Sequence, residues 1–442
     1  MAMHDITARI WAEAQKTREE IISDLRDFIA AGEGGEDGIQ DLFCRKAEAL
    51  GCDITSSSYH PTDVVLVEEF AGSAAIDPQE RISVVAHAKA GGKGRSLILF
   101  AHPDCEKFVD DQGWAHDPFK GEIIDGKLYG WGVADDLSGI AAGLQAIALL
   151  HALRIRPAAD VYVASTPSKR HARGVSHLLQ KGLQADAAVY LHPAESGVGL
   201  QEIKGFTSGQ IEFRIEIAGL APPTTEPHQT AFAHKGINAI DKAYLIWGAL
   251  KRLDEERSAT VRHPALDAEI GRSTNLMVSH IDAGSASRLT RGADRCILGA
   301  ALSFPPTETL ESVRLAIETA VAQAAAKDAW LSLHPPKFIW DSGVAGAETV
   351  SEHDLVTSAM AAIQSVSGVR PWINPMHTGS DIRNPIVQKA IPTIGLGPRC
   401  GNLAQNGALD EWVDADDHVR FVAATAMIIA TWCGLEPVPA NV

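Results

Sequence analysis

Residues 97–139 constrain this chain more than any other stretch. A His-Pro-Asp triplet, His102 to Asp104, directly follows the apolar run LILFA, and a pair of aspartates, Asp135 and Asp136, directly precedes a long Ala/Leu/Ile segment. Five consecutive apolar residues suit a strand buried on both faces, as in a parallel sheet covered by helices. His102 and Asp104 then lie just past its C-terminal end, where open α/β sheets place their ligands. Gly130 and Gly132 mark a backbone that needs unusual dihedrals or close approach. Asp135 and Asp136 open a helix over about residues 137–153, where a carboxylate reads equally as a helix cap or as a metal ligand.

A chain of 442 residues is long enough for two or three domains. Its formal net charge of -17 argues against nonspecific binding to nucleic acid or to an anionic membrane, both of which select basic surfaces. Six cysteines without C-x-x-C spacing suggest neither a zinc knuckle nor a disulfide framework. The N-terminal segment is a charged amphipathic helix without an apolar signal core, and no later stretch reads as an uninterrupted apolar span of membrane length. The expectation is a cytoplasmic protein with reduced thiols and no nucleic-acid or membrane partner.

Along the chain, helical spacing over residues 6–31 and 40–50 leads into strands at VVLVEEF, RISVVAHAKA and RSLILFAH. After the Asp-led helix come the strand and polar turn ADVYVASTPSK and a short helix. DAAVYLHPAES then repeats the pattern of an apolar strand ending in a histidine, which gives His192 a place equivalent to that of His102. From Gly205 the character changes. FTSGQIEFRIEIAGL alternates strictly, as a half-exposed antiparallel strand does, and two helices and two further strands follow. The Pro-Pro pair at 335 and 336 is the expected exit. Residues 1–204 and 336–442 therefore form an α/β metal-binding domain with a mixed sheet and flanking helices, and residues 205–335 an inserted α+β domain.

Taken together, the motifs resemble the co-catalytic zinc hydrolase family of acetylornithine deacetylase, succinyl-diaminopimelate desuccinylase and glutamate carboxypeptidase. His102-Pro103-Asp104 looks like that family's His-x-Asp. WAHDPFKGEIIDGKLYGWGVADD resembles its W-x-x-D-P-F…G-R-G-x-x-D signature, with Trp131 in place of the usual Arg. GINAIDKA from Gly236 matches G-x-N-A-i of the family's lid domain, and residues 379–383, GSDIR, match its [ST]-D-x-R loop. The resemblance implies a zinc-peptidase-like catalytic domain with an inserted lid and dimerisation domain. It makes His102 and Asp135 metal ligands and Asp104 the group that orients His102. In the family, the residue at Asp135 bridges two metals.

The departures are as informative as the matches. Where the family has a Glu-Glu pair, general base followed by ligand, counting back from Gly174 gives Ser168 and Lys169. Where its last metal histidine stands, counting back from Glu411 gives Gly407. The surviving set, His102, Asp135 and His192, belongs to one metal position. The expectation is one divalent transition metal per subunit, Mn, Zn or Fe, with the second position empty.

Such an ion supplies an acidified water. Asp136, Glu195 and His377 are the candidates for an assisting base, against bland readings as helix cap, surface carboxylate and loop hydrogen-bonder. The resemblance assigns His228, rather than His234, to the lid histidine that reaches the partner subunit of a homodimer and stabilises developing charge. Arg383 is the first candidate for binding a substrate carboxylate, with Arg288 and Arg291 behind it. Losing both glutamates points away from ordinary amides. The reduced site resembles the 5-nitroanthranilate aminohydrolase type, which implies hydrolytic deamination of a small aromatic carboxylate with release of ammonia. An N-acyl amino acid amidase, deacylase or metallopeptidase is the alternative, and a non-catalytic binding protein the second.

Overall fold

The structure, a computed structural model, describes residues 3–72, 75–105, 108, 113–193, 196–376, 380–401 and 409–436. Its main sheet has six strands in the spatial order Asp53–Tyr59, Arg81–Ala88, Val161–Ser165, Leu97–Ala101, Ala187–Tyr190 and Thr393–Gly395. The first three pair antiparallel with one another, and the Leu97–Ala101 strand pairs in parallel with Val161–Ser165 on one side and Ala187–Tyr190 on the other. This central position explains its unbroken apolar run. Leu97, Leu99 and Ala101 face the core built on the helices Ser138–Ala152 and Ala415–Cys433, whereas Ile98 and Phe100 face a second core with Val175, Leu178, Ile382 and Ile391.

The helix Ser138–Ala152 packs so closely that glycine is required at its start: a Cβ at Gly139 would collide with the carbonyl oxygen of Leu191. Counted from Val133 to Ala152, this segment is long and apolar enough to cross a membrane by length and composition, although Asp135 and Asp136 interrupt its apolar run. Yet 94% of its apolar window is buried within the fold, as befits a helix laid across a sheet. The strand Asp53–Tyr59 escaped the pattern reading because its residues, DITSSSY, are polar and it lies at the sheet edge.

The inserted layer is a five-stranded antiparallel sheet in the order Asn275–Ala283, Arg295–Phe304, Gly209–Ala218, Lys337–Val344 and Glu69–Ala71. Ile211, Phe213, Ile215 and Ile217 point inward, onto the helices Ala239–Thr260 and Leu310–Ala325. Two boundaries differ from expectation. The chain does not leave at Pro335 and Pro336, because the next strand, Lys337–Val344, pairs along Gly209–Ala218. Of the segment VVLVEEF only Glu69 and Phe70 are in a strand, Glu69–Ala71, and it joins this inserted sheet rather than the main one.

Arg383 sits at the seam between the two layers and is 3% exposed. Its guanidinium donates to the carbonyl oxygens of Ala345, Val67 and Glu68, to Asn384 Oδ1 and to the Glu69 carboxylate. All five N–H groups are thereby used. The expectation that Arg383 binds a substrate carboxylate is overturned, since no donor remains for one. Replacing Arg383 with Met leaves Glu69 and three carbonyls short of a donor, and breaking a buried pair of this kind costs about 3–5 kcal/mol. A fall of that size in denaturant midpoint is expected; unchanged stability with a weakened KM would instead restore the substrate-binding role.

Candidate metal centre

Parallel strands deliver the site. His102 follows Leu97–Ala101 and His192 follows the adjacent Ala187–Tyr190, so the two rings meet with centroids 5.6 Å apart. Asp135 reaches them from the turn before the long helix. Its Oδ1 lies 2.9 Å from His102 Nε2 and 3.1 Å from His192 Nε2. One ligand atom from each residue falls within 4.8 Å of the others, and all three side chains are buried.

The far sides of both rings are fixed by backbone. His102 Nδ1 is 2.9 Å from the carbonyl oxygen of Asp104, and His192 Nδ1 is 2.6 Å from that of Pro193. With the proton on each Nδ1 given to a carbonyl, each Nε2 turns a lone pair toward the shared point, which is the arrangement a metal requires. Two imidazole nitrogens and one carboxylate oxygen suit a single Mn, Fe or Zn ion. Lys204, fully buried, also donates to the Pro193 oxygen at 2.6 Å and stands 2.9 Å from His192 Nδ1.

Asp104 does more than orient His102. Its carboxylate lies 3.5 Å from His102 Nδ1, a longer contact than the one made by its own carbonyl. It accepts from Arg81 at 2.9 Å and from the backbone N–H groups of Ser168 and Lys169 at 2.8 and 2.7 Å. Burial alone would raise this carboxyl, but His102, Arg81 and the Ser168 N–H hold it below the usual range. Asp104 thus fixes the segment where sequence counting placed the missing glutamates. The position beside Asp135 expected to be empty is taken by a side chain, because the Lys169 ammonium pairs with Asp135 Oδ2. Ser168 Oγ donates to Asp381 Oδ2 at 2.5 Å.

Neither reading of Asp136 holds. The Asp135–Asp136 peptide is cis, the helix N-cap is Leu137 without a side-chain bond, and Asp136 is fully buried with Oδ2 accepting the His102 N–H at 3.3 Å. Burial raises its carboxyl well above the normal value. Fully buried and bonded to the His102 N–H, its carboxyl braces the His102 backbone rather than capping the helix or reaching the surface as a base.

Glu411 served the sequence reading only as a ruler. In space it accepts the N–H groups of Gly132, Ala134 and Asp135 at 3.2, 2.5 and 2.8 Å, and so aims the turn that carries Asp135. Burial and the nearby Asp135 charge push its carboxyl up to about 7. Gly132 has φ +71°, and a Cβ there would strike Cys105 Sγ. Of the remaining candidates, Glu195 and His377 lie outside the described residues, as does Gly407. His228, Arg288 and Arg291 are exposed on inserted-domain loops, and their side chains make no contact with His102, Asp135 or His192 in the chain described.

Residues 98–431 match the sequence profile of Peptidase family M20/M25/M40. Over 98% of both chains, this one is 22% identical to an N-formyl-4-amino-5-aminomethyl-2-methylpyrimidine deformylase of Halalkalibacterium halodurans. It is 25% identical to the acetylornithine deacetylase of Salmonella typhimurium over 77% of this chain and 80% of that one. The fold resembles that of a tripeptidase from Staphylococcus aureus, with a TM-score of 0.66 and 17% identity, covering 94% of this chain and 98% of that one. The match spans the main sheet from its central strand to the closing helix, and with it both histidines and the aspartate of the metal centre: this chain belongs to Peptidase family M20/M25/M40.

Proposed function

We propose that this chain is a hydrolase of C–N bonds that works with one divalent transition metal ion, held by His102, Asp135 and His192. The carrying observation is the Lys169 ammonium on Asp135 Oδ2. It neutralises the oxygen that a second ion would need, and two cations sharing that side of a buried carboxylate repel strongly. When bound, the ion supplies a Lewis acid and an acidified water. The protein's own residues do the rest. Asp104 and Pro193 fix the ring tautomers through their carbonyls, Glu411 aims Asp135, and Asp104 holds Ser168 and Lys169 against the site.

The substrate reading is a small, electron-poor aromatic amine such as 5-nitroanthranilate, deaminated with release of ammonia. Such a ring accepts hydroxide readily because its nitro group takes up the negative charge of the adduct; in the balanced exchange, ArNH2 + H2O giving ArOH + NH3, one proton passes from the attacking water to the departing nitrogen, and Ser168 and Lys169 offer no carboxylate to carry it. Arg288 and Arg291 remain the arginines for a substrate carboxylate. Cleavage of an N-acyl or N-formyl group, as by an amidase, deacylase or metallopeptidase, is the second reading. The end-to-end similarity to a deformylase favours it. The binding-protein reading has no observation in its favour.

The inserted domain supports a homodimer. Its edge strand Asn275–Ala283 exposes Met277 and Ile281, and the helix Ala239–Thr260 exposes Tyr244 and Trp247. An unpaired edge beside apolar side chains is a pairing surface, and His228 then has a partner active site to reach. The six cysteines form no disulfide among the described residues, which supports a reducing, cytoplasmic setting.

Three outcomes are expected. Metal analysis after loading with excess Mn or Zn and desalting gives one equivalent per chain, lost in His102→Ala and His192→Ala; two equivalents in the unaltered protein would sink the one-metal reading. The metal-loaded protein releases ammonia from 5-nitroanthranilate, whereas silence on that compound with cleavage of N-formyl or N-acetyl amines transfers the assignment to the second reading. Light scattering gives twice the chain mass, and Trp247→Glu with Met277→Glu gives the monomer; a monomeric unaltered protein at micromolar concentration removes the dimer.

A further inference from the structure

The tryptophan that replaces the family's arginine has aromatic neighbours in space. The Trp131 indole is met edge-on by Phe108 at 5.6 Å and by Phe119 at 6.1 Å between centroids. Phe108 also stacks on Trp114 at 5.7 Å and tilts against Phe119 at 5.1 Å. Trp131 is buried, but Phe108, Trp114 and Phe119 are half-buried. With Glu33, His116 and Lys120 they line a cavity of about 1030 Å³, ample for a small aromatic molecule.

This cavity is tied to the metal centre through covalent and hydrogen-bonded links. Trp131 is followed by Gly132, whose N–H shares the Glu411 carboxylate with the N–H of Asp135. Gly132 also packs on Cys105, the residue after Asp104. Leaving three aromatic rings half in water forgoes burial worth having, and rings so arranged around an open volume present π faces to a guest.

We propose that this cavity is an aromatic-ring subsite that takes a flat, electron-poor ring. It rests on the aromatic-substrate reading of the metal centre and names the residues that would select it. Electron-rich indole and phenyl faces prefer an electron-poor ring in an offset stack. Lys120, on the rim, is ion-paired with Glu122 at 3.4 Å, and Glu33 and Asp117 also line the cavity, so stacking and not charge carries the selection.

Titration calorimetry of the full chain with 3-nitrobenzoate, which has no amino group to lose, tests this directly, with cyclohexanecarboxylate as the non-aromatic acid. The expected result is nitrobenzoate binding at least about tenfold tighter than the aliphatic acid. Trp114→Leu and Phe119→Leu should each weaken it by about tenfold while melting temperature and aliphatic binding stay unchanged. No measurable binding at millimolar nitrobenzoate, equal binding of the two acids, or unchanged nitrobenzoate binding in both variants overturns the subsite. Ammonia release from 5-nitroanthranilate, measured on the same samples, separates the two claims. Release with unaltered ring binding in the variants leaves the aminohydrolase reading and removes the subsite; ring-dependent binding without release does the reverse.

Discussion

One carboxylate, Asp135, faces two different partners through its two oxygens, and the site is organised by that division. Oδ1 is shared by two imidazole nitrogens, and Oδ2 is neutralised by the Lys169 ammonium. Burial by itself would raise this carboxyl, yet His102 and His192 hold it well below the usual carboxylate range. A charge in a low-dielectric interior persists only when every side of it is answered. That requirement governs the surrounding chain: two parallel strands must end at the same level, and the turn before the long helix must be pinned by Glu411.

The neighbouring residues divide between chemistry and scaffold. Asp104, beside the metal site, spends its carboxylate on Arg81 and on the backbone of Ser168 and Lys169. Lys169 reaches Asp135 because Asp104 holds the loop that carries it. Arg81 in turn pairs with Glu36, whose carboxyl burial raises to about 6. The chemistry at the strand ends is thus connected by buried ion pairs to the helices behind the sheet, where one altered member leaves an uncompensated charge.

Arg383 and Glu411 show how position in three dimensions reverses a role read from sequence. An arginine in a loop beside a metal motif looks like a carboxylate clamp, but its five donors are consumed at the seam between the layers. Glu411, which marks only a spacing in the sequence, holds the N–H groups of three residues of one turn, Gly132, Ala134 and Asp135. Asp136 follows the same rule: adjacency to Asp135 in sequence says nothing about what a carboxyl meets, and here it is buried against the His102 N–H.

Periodicity and motif order were sufficient for the layered α/β architecture, the inserted antiparallel sheet and the clustering of His102, Asp135 and His192. Those features depend on local regularities: a five-residue apolar strand, strict alternation, and histidines placed at strand ends. The polar edge strand Asp53–Tyr59, the late exit after Val344 and the recruitment of Glu69–Ala71 were illegible because they follow from partners distant in the chain. In the same way, Lys169 read in sequence as the loss of a ligand, whereas folding makes it a cation on Asp135. A residue's type and spacing are written locally. Whether a charge meets its opposite, a substrate or a wall of backbone is decided only when remote segments close around it.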